Sequence, residues 1–314
     1  MAAAETWFVI VNPAAGGGRG LRRWPAVEAE LKRKGIDFEA VFTERKMHAA
    51  ELAAQAAERG FRRFAAVGGD GVANEVVNGL MEQTAAPSRE CTLAVIPSGT
   101  GNDWLKTYGI PPDFRHCIGL MAEGHRRWQD VGRADWTDAD GKPRHRFFFN
   151  VAGMGYDAAV TKDSNETTGL FSNKIFYFYL IVKGLWKYRC GKGRIVLGSG
   201  KVIEEKIYNL TAGICRFNGG GVQLTPHAVP DDGLLAISLV PEVSAWYAIR
   251  HTPRFYDGSM LSHPLVFSTQ DTSLQVEPLD EVPIGLEVDG EYLGTAPFSL
   301  GIIERAIRIV APER

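Results

Sequence analysis

The stretch whose reading decides the fold is Ala65–Leu80, AAVGGDGVANEVVNGL. A short apolar strand runs into the turn Gly68-Gly69-Asp70-Gly71, and a helix begins directly behind it. Glycines at such a junction admit positive φ angles and let a ligand come close to the backbone. The first turn of the helix leaves N–H groups unpaired at the positive end of its dipole, which suits a phosphate. Asp70 is the odd member, because a carboxylate in a phosphate cradle repels its ligand unless a cation bridges them or it takes a proton from another group. The turn therefore reads as magnesium–nucleotide chemistry rather than simple anion binding.

Outward from this turn the pattern repeats. Thr6–Val11 is a buried-type strand followed by Asn12-Pro13 and a glycine run, and Leu21, Trp24, Val27 and Leu31 then follow at helical spacing up to Gly35. Ile36–Phe42 reads as a strand, Met47–Arg59 as an alanine-rich helix and Thr92–Ile96 as a strand, which enters Pro97-Ser98-Gly99-Thr100-Gly101-Asn102-Asp103 before a short helix over Trp104–Tyr108. Alternating strands and helices predict a parallel sheet with helices on both faces. Three glycine-rich turns follow the first, third and fourth strands at their carboxyl ends, where open α/β sheets bind ligands.

Near residues 122–130 the pattern changes to short β-prone runs separated by Asp140-Gly141, Gly198-Ser199-Gly200, Asp232-Gly233 and Asp289-Gly290, which are hairpin signals. Strands are predicted at His145–Val151, Lys201–Gly213, Leu234–Val240 and Arg305–Val310, with helices near 155–163, 170–188 and 242–260. The expected organisation is an α/β domain over 1–128 and an antiparallel β-sandwich over 129–314.

Composition narrows the function classes. Across 314 residues the formal net charge is −2, which argues against a dedicated nucleic-acid binder. The basic clusters Arg19/Arg22/Arg23, Lys32–Lys34 and Arg62/Arg63 read either as solvated helix faces or as contacts for anionic lipid headgroups. Four scattered cysteines lack metal-site spacing and suit a reducing, cytoplasmic setting. The start of the chain lacks a basic, signal-like leader, and the longest aromatic run, Ile175–Val182, is far short of the roughly 20 residues a bilayer span needs. A protein without a transmembrane segment, soluble or peripheral to a membrane, is expected. The first glycine loop has no Gly-Lys-Ser/Thr, and Asn74 stands where the dinucleotide fingerprint requires a third glycine, so neither a P-loop nor a Rossmann fingerprint is present.

Taken together, Asn12-Pro13, Gly68-Gly69-Asp70-Gly71 with Asn74-Glu75-Val76, and Pro97-x-Gly99-Thr100-x-Asn102-Asp103 resemble the diacylglycerol kinase catalytic domain, closest in kind to soluble bacterial lipid kinases and akin to sphingosine and ceramide kinases. Asn150-x-x-Gly153-x-Gly155-x-Asp157, Asp232-Gly233-Leu234 and Asp289-Gly290-Glu291 carry the resemblance over nearly the whole chain. It implies an NAD kinase/diacylglycerol kinase-like α/β domain followed by a β-sandwich, with ATP and a lipid at a membrane surface as substrates, Mg²⁺ as cofactor, and a homodimer as a common assembly.

The resemblance also implies roles. Gly68, Gly69, Asp70, Gly71, Val72, Ala73 and Asn74 would wrap the nucleotide phosphates, with Asn12, Thr43, Gly99, Thr100 and Asn102 as further nucleotide contacts. Asp103 would hold Mg²⁺ through water, and Asp232 would bind a cation with the carbonyls of Val229 and Leu234, a hard-oxygen set that suits Mg²⁺. Glu291 would take the proton of the lipid hydroxyl with Asp289 supporting it, a close carboxylate pair being one way to raise a pKa toward that of a useful base. Asp70 competes for the same role. Each residue has a plainer reading too: Thr43 as a strand end or N-cap, Asn102 and Asp103 as a helix cap, Asp232 and Asp289 as turn residues. Val72 departs from the usual threonine and removes a hydroxyl from the loop, which keeps a non-catalytic lipid or nucleotide binder in view. NAD kinase, which shares the Gly-Gly-Asp-Gly loop, is the other alternative. Phe171–Tyr188, dense in aromatics with Lys174, Lys183 and Lys187, reads as a core helix or as an acyl-chain or membrane element.

Overall fold

The computed structural model describes residues 5–98, 102–167 and 184–313. Gly99, Thr100 and most of the Phe171–Tyr188 segment lie outside the described residues. The chain divides into two compact units, 1–131 with 304–314, and 132–303.

The first unit is built on parallel strands. β1 (Trp7–Val11) pairs with β2 (Phe38–Phe42) on one side and β3 (Arg63–Gly68) on the other, and β3 pairs with β4 (Thr92–Pro97). Strands β1 and β4 are buried throughout, as expected of a parallel sheet covered on both faces. Helix α1 (Ala15–Arg33) connects β1 to β2, α2 (His48–Glu58) connects β2 to β3, and α3 (Asp70–Glu82) connects β3 to β4. The strand order reverses between β1 and β3, so right-handed crossovers carry α1 and α3 to opposite faces. Helix α2 packs against α3 so closely that a Cβ at Gly79 would lie 2.1 Å from the Ala50 carbonyl oxygen. The short α4 (Asp103–Thr107) is held from below, where Trp104 Nε1 and the Tyr108 hydroxyl both donate to Gln129 Oε1 at 2.8 Å. Helix α5 (Phe114–Glu123) packs on α1 and β4.

The second unit is an antiparallel β-sandwich. The outer part of β5 (Arg127–Thr137) pairs with β6 (Pro143–Phe148) across the Asp140-Gly141 hairpin. β9 (Val202–Gly213) is central, pairing with β7 (Val151–Gly155), β8 (Gly191–Leu197) and β10 (Leu235–Pro241). β10 continues to β11 (Phe267–Asp271), β8 to β12 (Ser273–Pro278), and β12 to the first residues of β15 (Phe298–Ile309). β13 (Gly285–Val288) pairs with β7 and, across Asp289-Gly290, with β14 (Glu291–Thr295). Helices α6 (Tyr156–Thr167), α7 (Ala245–His251) and α8 (Arg254–Asp257) and the helical residues 184–187 also belong to the unit.

Four sequence expectations change. His145–Val151 is two strands, broken at Phe149-Asn150, because the backbone N–H groups there bond to Asp289 instead of a neighbouring strand. Asp232-Gly233 is a turn leading into β10 and not a hairpin, since residues 216–231 before it form no strand. The helix expected over 242–260 is two short helices and a 3₁₀ turn, interrupted at Pro253 and at Gly258, whose φ is 74°. The terminal strand, grouped by sequence with the second domain, belongs to the first unit, where Arg308 and Ile309 pair in parallel with Thr92 and Leu93 of β4.

Candidate functional site

In the first unit the carboxyl ends of β1, β3 and β4 are laced together by their own backbone. Asn12 N–H donates to Val67 O at 3.0 Å, Thr43 N–H to Val11 O at 2.9 Å and Ser98 N–H to Gly68 O at 2.8 Å. Asn12, Thr43, Gly68 and the start of the 98–103 loop are thereby brought to one edge, at the point where the strand order reverses. Asn12 closes a local turn by accepting the Ala14 N–H at 3.0 Å. Gly16, Gly17 and Gly18 follow with φ of 60°, 71° and 81°, a left-handed run that costs β-carbon residues heavily.

The Gly68–Gly71 turn requires a small residue at Gly68 and leaves open space at Gly71. A Cβ at Gly68 would sit 2.3 Å from Val72 Cγ1, while around Gly71 the same addition would meet nothing within 4 Å. Gly69 is the N-cap of α3 and has no side chain with which to cap the helix. The leading N–H groups of α3 are therefore left for a ligand or solvent, with Gly71 as open ground beside them. The side chains of Val72, Ala73 and Asn74 are buried: Val72 packs on Gly68, and Asn74 Oδ1 accepts from Asn78 Nδ2 at 3.1 Å. Contact with an anion at this turn falls to the backbone, so a threonine at position 72 would turn its hydroxyl into packed core. Thr43 is likewise buried.

Asp70 opens α3, where its charge suits the dipole. Its Oδ2 accepts the Asp103 N–H at 2.9 Å, tying the start of α3 to the start of α4. The Asp103 carboxylate is buried and pairs with Lys106 Nζ at 2.7 Å. Ser98 Oγ and Asn102 Oδ1, on either side of residues 99–101 in the sequence, are buried without a hydrogen-bond partner among the described residues. Unsatisfied buried polar atoms of this kind are costly; beside the uncapped helix start the Ser98 hydroxyl can donate to a phosphate, whereas Asn102 Oδ1 is an acceptor and suits a cation, a water or an N–H.

In the second unit Asp289 is a structural staple. It sits with φ 47° at the β13–β14 hairpin, followed by Gly290 at 85°. Its Oδ2 accepts Phe149 N–H at 2.9 Å, and its Oδ1 accepts Asn150 N–H at 3.1 Å and Val151 N–H at 2.9 Å. Those three bonds fix the hairpin, and with it Glu291, against the β6–β7 corner. Asp232 Oδ1 accepts Leu234 N–H at 3.0 Å and its Oδ2 accepts Gln270 Nε2 at 3.1 Å, so both oxygens already carry a protein partner. Among the described residues no group of three or more His, Cys, Asp or Glu side chains is placed to hold a metal. Mg²⁺ commonly keeps its waters and binds through one or two carboxylates plus substrate phosphates, and Asp103 beside Asp70 meets that requirement. The sequence-proposed residues thus fall into three groups: the Asn12–Asp103 edge in the first unit, and the Asp289–Glu291 hairpin and the Val229–Leu234 turn in the second.

The same unit holds features that sequence reading passed over. A cavity of about 200 Å³ is walled by Val160, Leu224, Val240, Phe255 and Met260, and Asp157 and Glu287 are among its lining residues. Glu287 is 1% exposed, and its Oε2 accepts the Gly290 N–H at 2.8 Å while Oε1 has no hydrogen-bond partner among the described residues. Burial, then the charges of Asp157 and Asp289, push its carboxyl well above the ordinary range, against the Gly290 bond that favours the anion. Asp157 is half-buried at the start of α6, and burial lifts its pKa to about 6 although Asn209 Nδ2, donating at 2.9 Å, pulls the other way. Glu287 lies opposite Gly153 in the β13–β7 pair, and a Cβ there would stand 2.5 Å from Glu287 Oε1 and 3.3 Å from Asp157 Oδ2. The glycine makes room for the two carboxyls. Only its place in a strand paired on both sides, Gly285–Val288, hinted at the burial of Glu287.

The chain matches the family model for the diacylglycerol kinase catalytic domain over residues 6–134 and that for the YegS C-terminal NAD kinase beta sandwich-like domain over 150–311. A diacylglycerol kinase of Staphylococcus aureus (strain bovine RF122 / ET3-1) is 30% identical over 308 residues, covering 97% of this chain and 91% of the relative. One from Staphylococcus haemolyticus (strain JCSC1435) is 28% identical over 308 residues, with 97% and 88% covered. Among solved structures, a diacylglycerol kinase from Bacillus anthracis str. Sterne superposes with TM-score 0.70 at 21% identity, covering 98% of this chain and 97% of that one. Yeast NADH kinase does so with TM-score 0.54 at 10% identity, covering 98% and 84%, which is a likeness of fold. With the glycine turn, the sandwich and full-length kinship in agreement, the chain belongs to the diacylglycerol kinase catalytic-domain family.

Proposed function

We propose that this chain transfers the γ-phosphoryl group of ATP to a lipid hydroxyl, with diacylglycerol as the acceptor and phosphatidic acid as the product. The observation that carries the reading is the uncapped start of α3 behind Gly68–Gly71, with the Ser98 hydroxyl, without a partner among the described residues, beside it. Backbone N–H groups there would cradle phosphates, and Asn12 and Thr43 at the same edge would bound the nucleotide, with Gly99 and Thr100 completing the loop. Phosphoryl transfer needs positioning and charge neutralisation more than covalent help. Mg²⁺, when bound, supplies neutralisation of the charge that develops on the transferred group. Asp103 is the residue that would hold it in the first unit, and Asp232 with the carbonyls of Val229 and Leu234 would hold a cation in the second. Glu291 would accept the proton of the lipid hydroxyl, and Asp289 would keep the hairpin that presents it. Asp70 is the competing base.

The cavity of the second unit supports a lipid acceptor, since aliphatic and aromatic walls exclude water from a chain. Peripheral attachment to a membrane has support in Trp186 and Trp246, 54% and 73% exposed with ring centroids 5.9 Å apart, flanked by exposed Lys187, Arg189 and Arg250. No helix among the described residues is long and apolar enough to cross a membrane.

The test is ATP consumption with short-chain diacylglycerol in detergent micelles and with NAD, with and without Mg²⁺, for the wild type and Glu291→Gln. Turnover of diacylglycerol that needs Mg²⁺ and falls by about 10²–10⁴ in the variant, with ATP affinity held, is the expected result. Turnover of NAD instead would make the protein an NAD kinase. ATP binding without ADP formation for any lipid would make it a non-catalytic binder. Undiminished turnover in the variant would remove Glu291 from the chemistry and leave Asp70 as the base.

A further inference from the structure

We propose that Arg63, Arg126 and Arg308 form a second anion site in the first unit, at the end of the sheet away from the glycine turns, and that it takes the phosphate group of a small molecule or inorganic phosphate itself. The inference goes beyond the lipid-kinase reading and does not rest on it.

Strand register brings the three together. Arg63 opens β3 and pairs with Thr92, which opens β4, while Arg308 of β15 pairs with the same Thr92 from the other side. Residues level with one another in neighbouring strands share a face, so Arg63 and Arg308 stand on one face, two strand spacings or about 10 Å apart. Arg126, exposed just before β5, is close to both: burial, then the charges of Arg63 and Arg308, lower its pKa, and no carboxylate enters that balance. Two of the guanidinium groups are already oriented. Arg63 Nη1 donates to the Glu5 carbonyl oxygen at 2.9 Å, and the Arg308 guanidinium lies 4.8 Å from the centroid of the Trp128 ring. Neither contact supplies a negative charge. The acids of the neighbouring segments, Glu90, Glu123 and Glu313, face Arg62 and His125 instead, at 3.9, 3.3 and 3.8 Å. Arg45 and Arg59, by contrast, each close a two-bond pair with a glutamate.

Three full positive charges held this close repel one another. The C-terminal end of α5, whose cap Gly124 comes two residues before Arg126, offsets only about half an elementary charge. A bound anion removes the repulsion and satisfies the free N–H groups at once. Guanidinium forks match phosphate oxygens in pairs, and a phosphate has enough oxygens to be shared among three arginines where a carboxylate has two. A small molecule fits this patch better than a membrane does. Docking on a bilayer calls for exposed apolar side chains beside the charges, and the large ones of the first unit, Leu21 and Phe42, lie toward the glycine-turn end, in the first third of α1 and at the last residue of β2.

The experiment measures phosphate binding with the glycine-turn edge kept occupied by a non-hydrolysable ATP analogue. Thermal midpoints and titration calorimetry are run in inorganic phosphate and in chloride of equal ionic strength, for the wild type, Arg126→Gln and the double variant Arg63→Gln/Arg308→Gln. Phosphate at 10–20 times its Kd should raise the wild-type midpoint by about 2–5 °C over chloride. In Arg126→Gln phosphate should bind about tenfold more weakly, and the double variant should lose most of the gain. In chloride Arg126→Gln should melt no lower than wild type, because the substitution relieves repulsion; that result also shows the variant folds. Equal midpoints for wild type in phosphate and chloride would overturn the proposal, and so would a phosphate gain that all three chains share. A final arm compares glycerol 3-phosphate in solution with phosphatidate in neutral vesicles. Arginine-dependent binding of the former is expected, whereas arginine-dependent binding of the vesicles alone would make the patch a membrane contact and overturn the small-molecule assignment. A chain that fails to bind the ATP analogue would count against the kinase reading and leave the comparison among the arginine variants intact.

Discussion

Replacing Asp157 by Asn should stabilise the protein at alkaline pH and leave it unchanged in acid. Burial lifts the carboxyl's pKa from the ordinary 3.8 to about 6 in the folded chain. A raised pKa means that the folded state holds the proton more tightly than the unfolded state. Stability contributed by this group is therefore fully present below about pH 4 and is lost as pH rises through 6. At pH 8 the folded state bears the whole cost of the buried charge, about 3 kcal/mol from the size of the shift, and nearer 1–2 kcal/mol once the solvent reaching half-buried Asp157 is allowed for. The asparagine keeps an oxygen for the Asn209 amide and removes the charge that pushes Glu287 upward. Urea unfolding at pH 4 and pH 8 provides the assay, followed by near- and far-ultraviolet circular dichroism so that the two compact units can be separated if they melt apart. The variant should gain about 1–2 kcal/mol over wild type at pH 8 and almost nothing at pH 4. A variant no more stable than wild type at pH 8, or one shifted equally at both pH values, would refute the burial argument.

Two further perturbations test the other structural claims. Gly68→Ala drives a Cβ into Val72 Cγ1 and should cost about 1–3 kcal/mol, with Val72→Ala restoring part of the loss in the double variant; thermal melts of all three chains decide it. Asp289→Ala strands three N–H groups of the β6–β7 corner and should cost about 2–4 kcal/mol in chemical unfolding, so a loss of activity without a loss of stability would instead mark Asp289 as a participant in the chemistry.

Much of the first unit was legible because a buried parallel strand followed by a glycine turn and a helix start has a strong local signature. β1, β3, β4 and α3 appear where the apolar runs and the Gly-Gly-Asp-Gly turn placed them. The second unit was harder. β8, GKGRIVL, was not among the predicted strands and carries two glycines with close neighbours: a Cβ at Gly191 would meet the Val282 carbonyl oxygen at 2.5 Å, and one at Gly193 would meet Ile207 and Ile284 at 2.9 Å. Close approach by a distant segment has no trace in the local pattern. For the same reason Asp289 read equally well as a hairpin tip or as half of a carboxylate pair, whereas its oxygens in fact hold backbone N–H groups about 140 positions earlier in the chain.

The amino-acid order alone determined the alternation of the first half, the β-rich second half and the phosphate-type turn, because each is written in residues within a few positions of one another. Tertiary structure decided which carboxyls stand together. Glu287 and Asp157 are 130 positions apart and meet across Gly153 only because β13 pairs with β7, and burial, which sets their proton affinity, is a property of everything packed around them. It also decided that Val72 faces inward, since the side of a helix that becomes core depends on the sheet it lands on and not on the loop it follows.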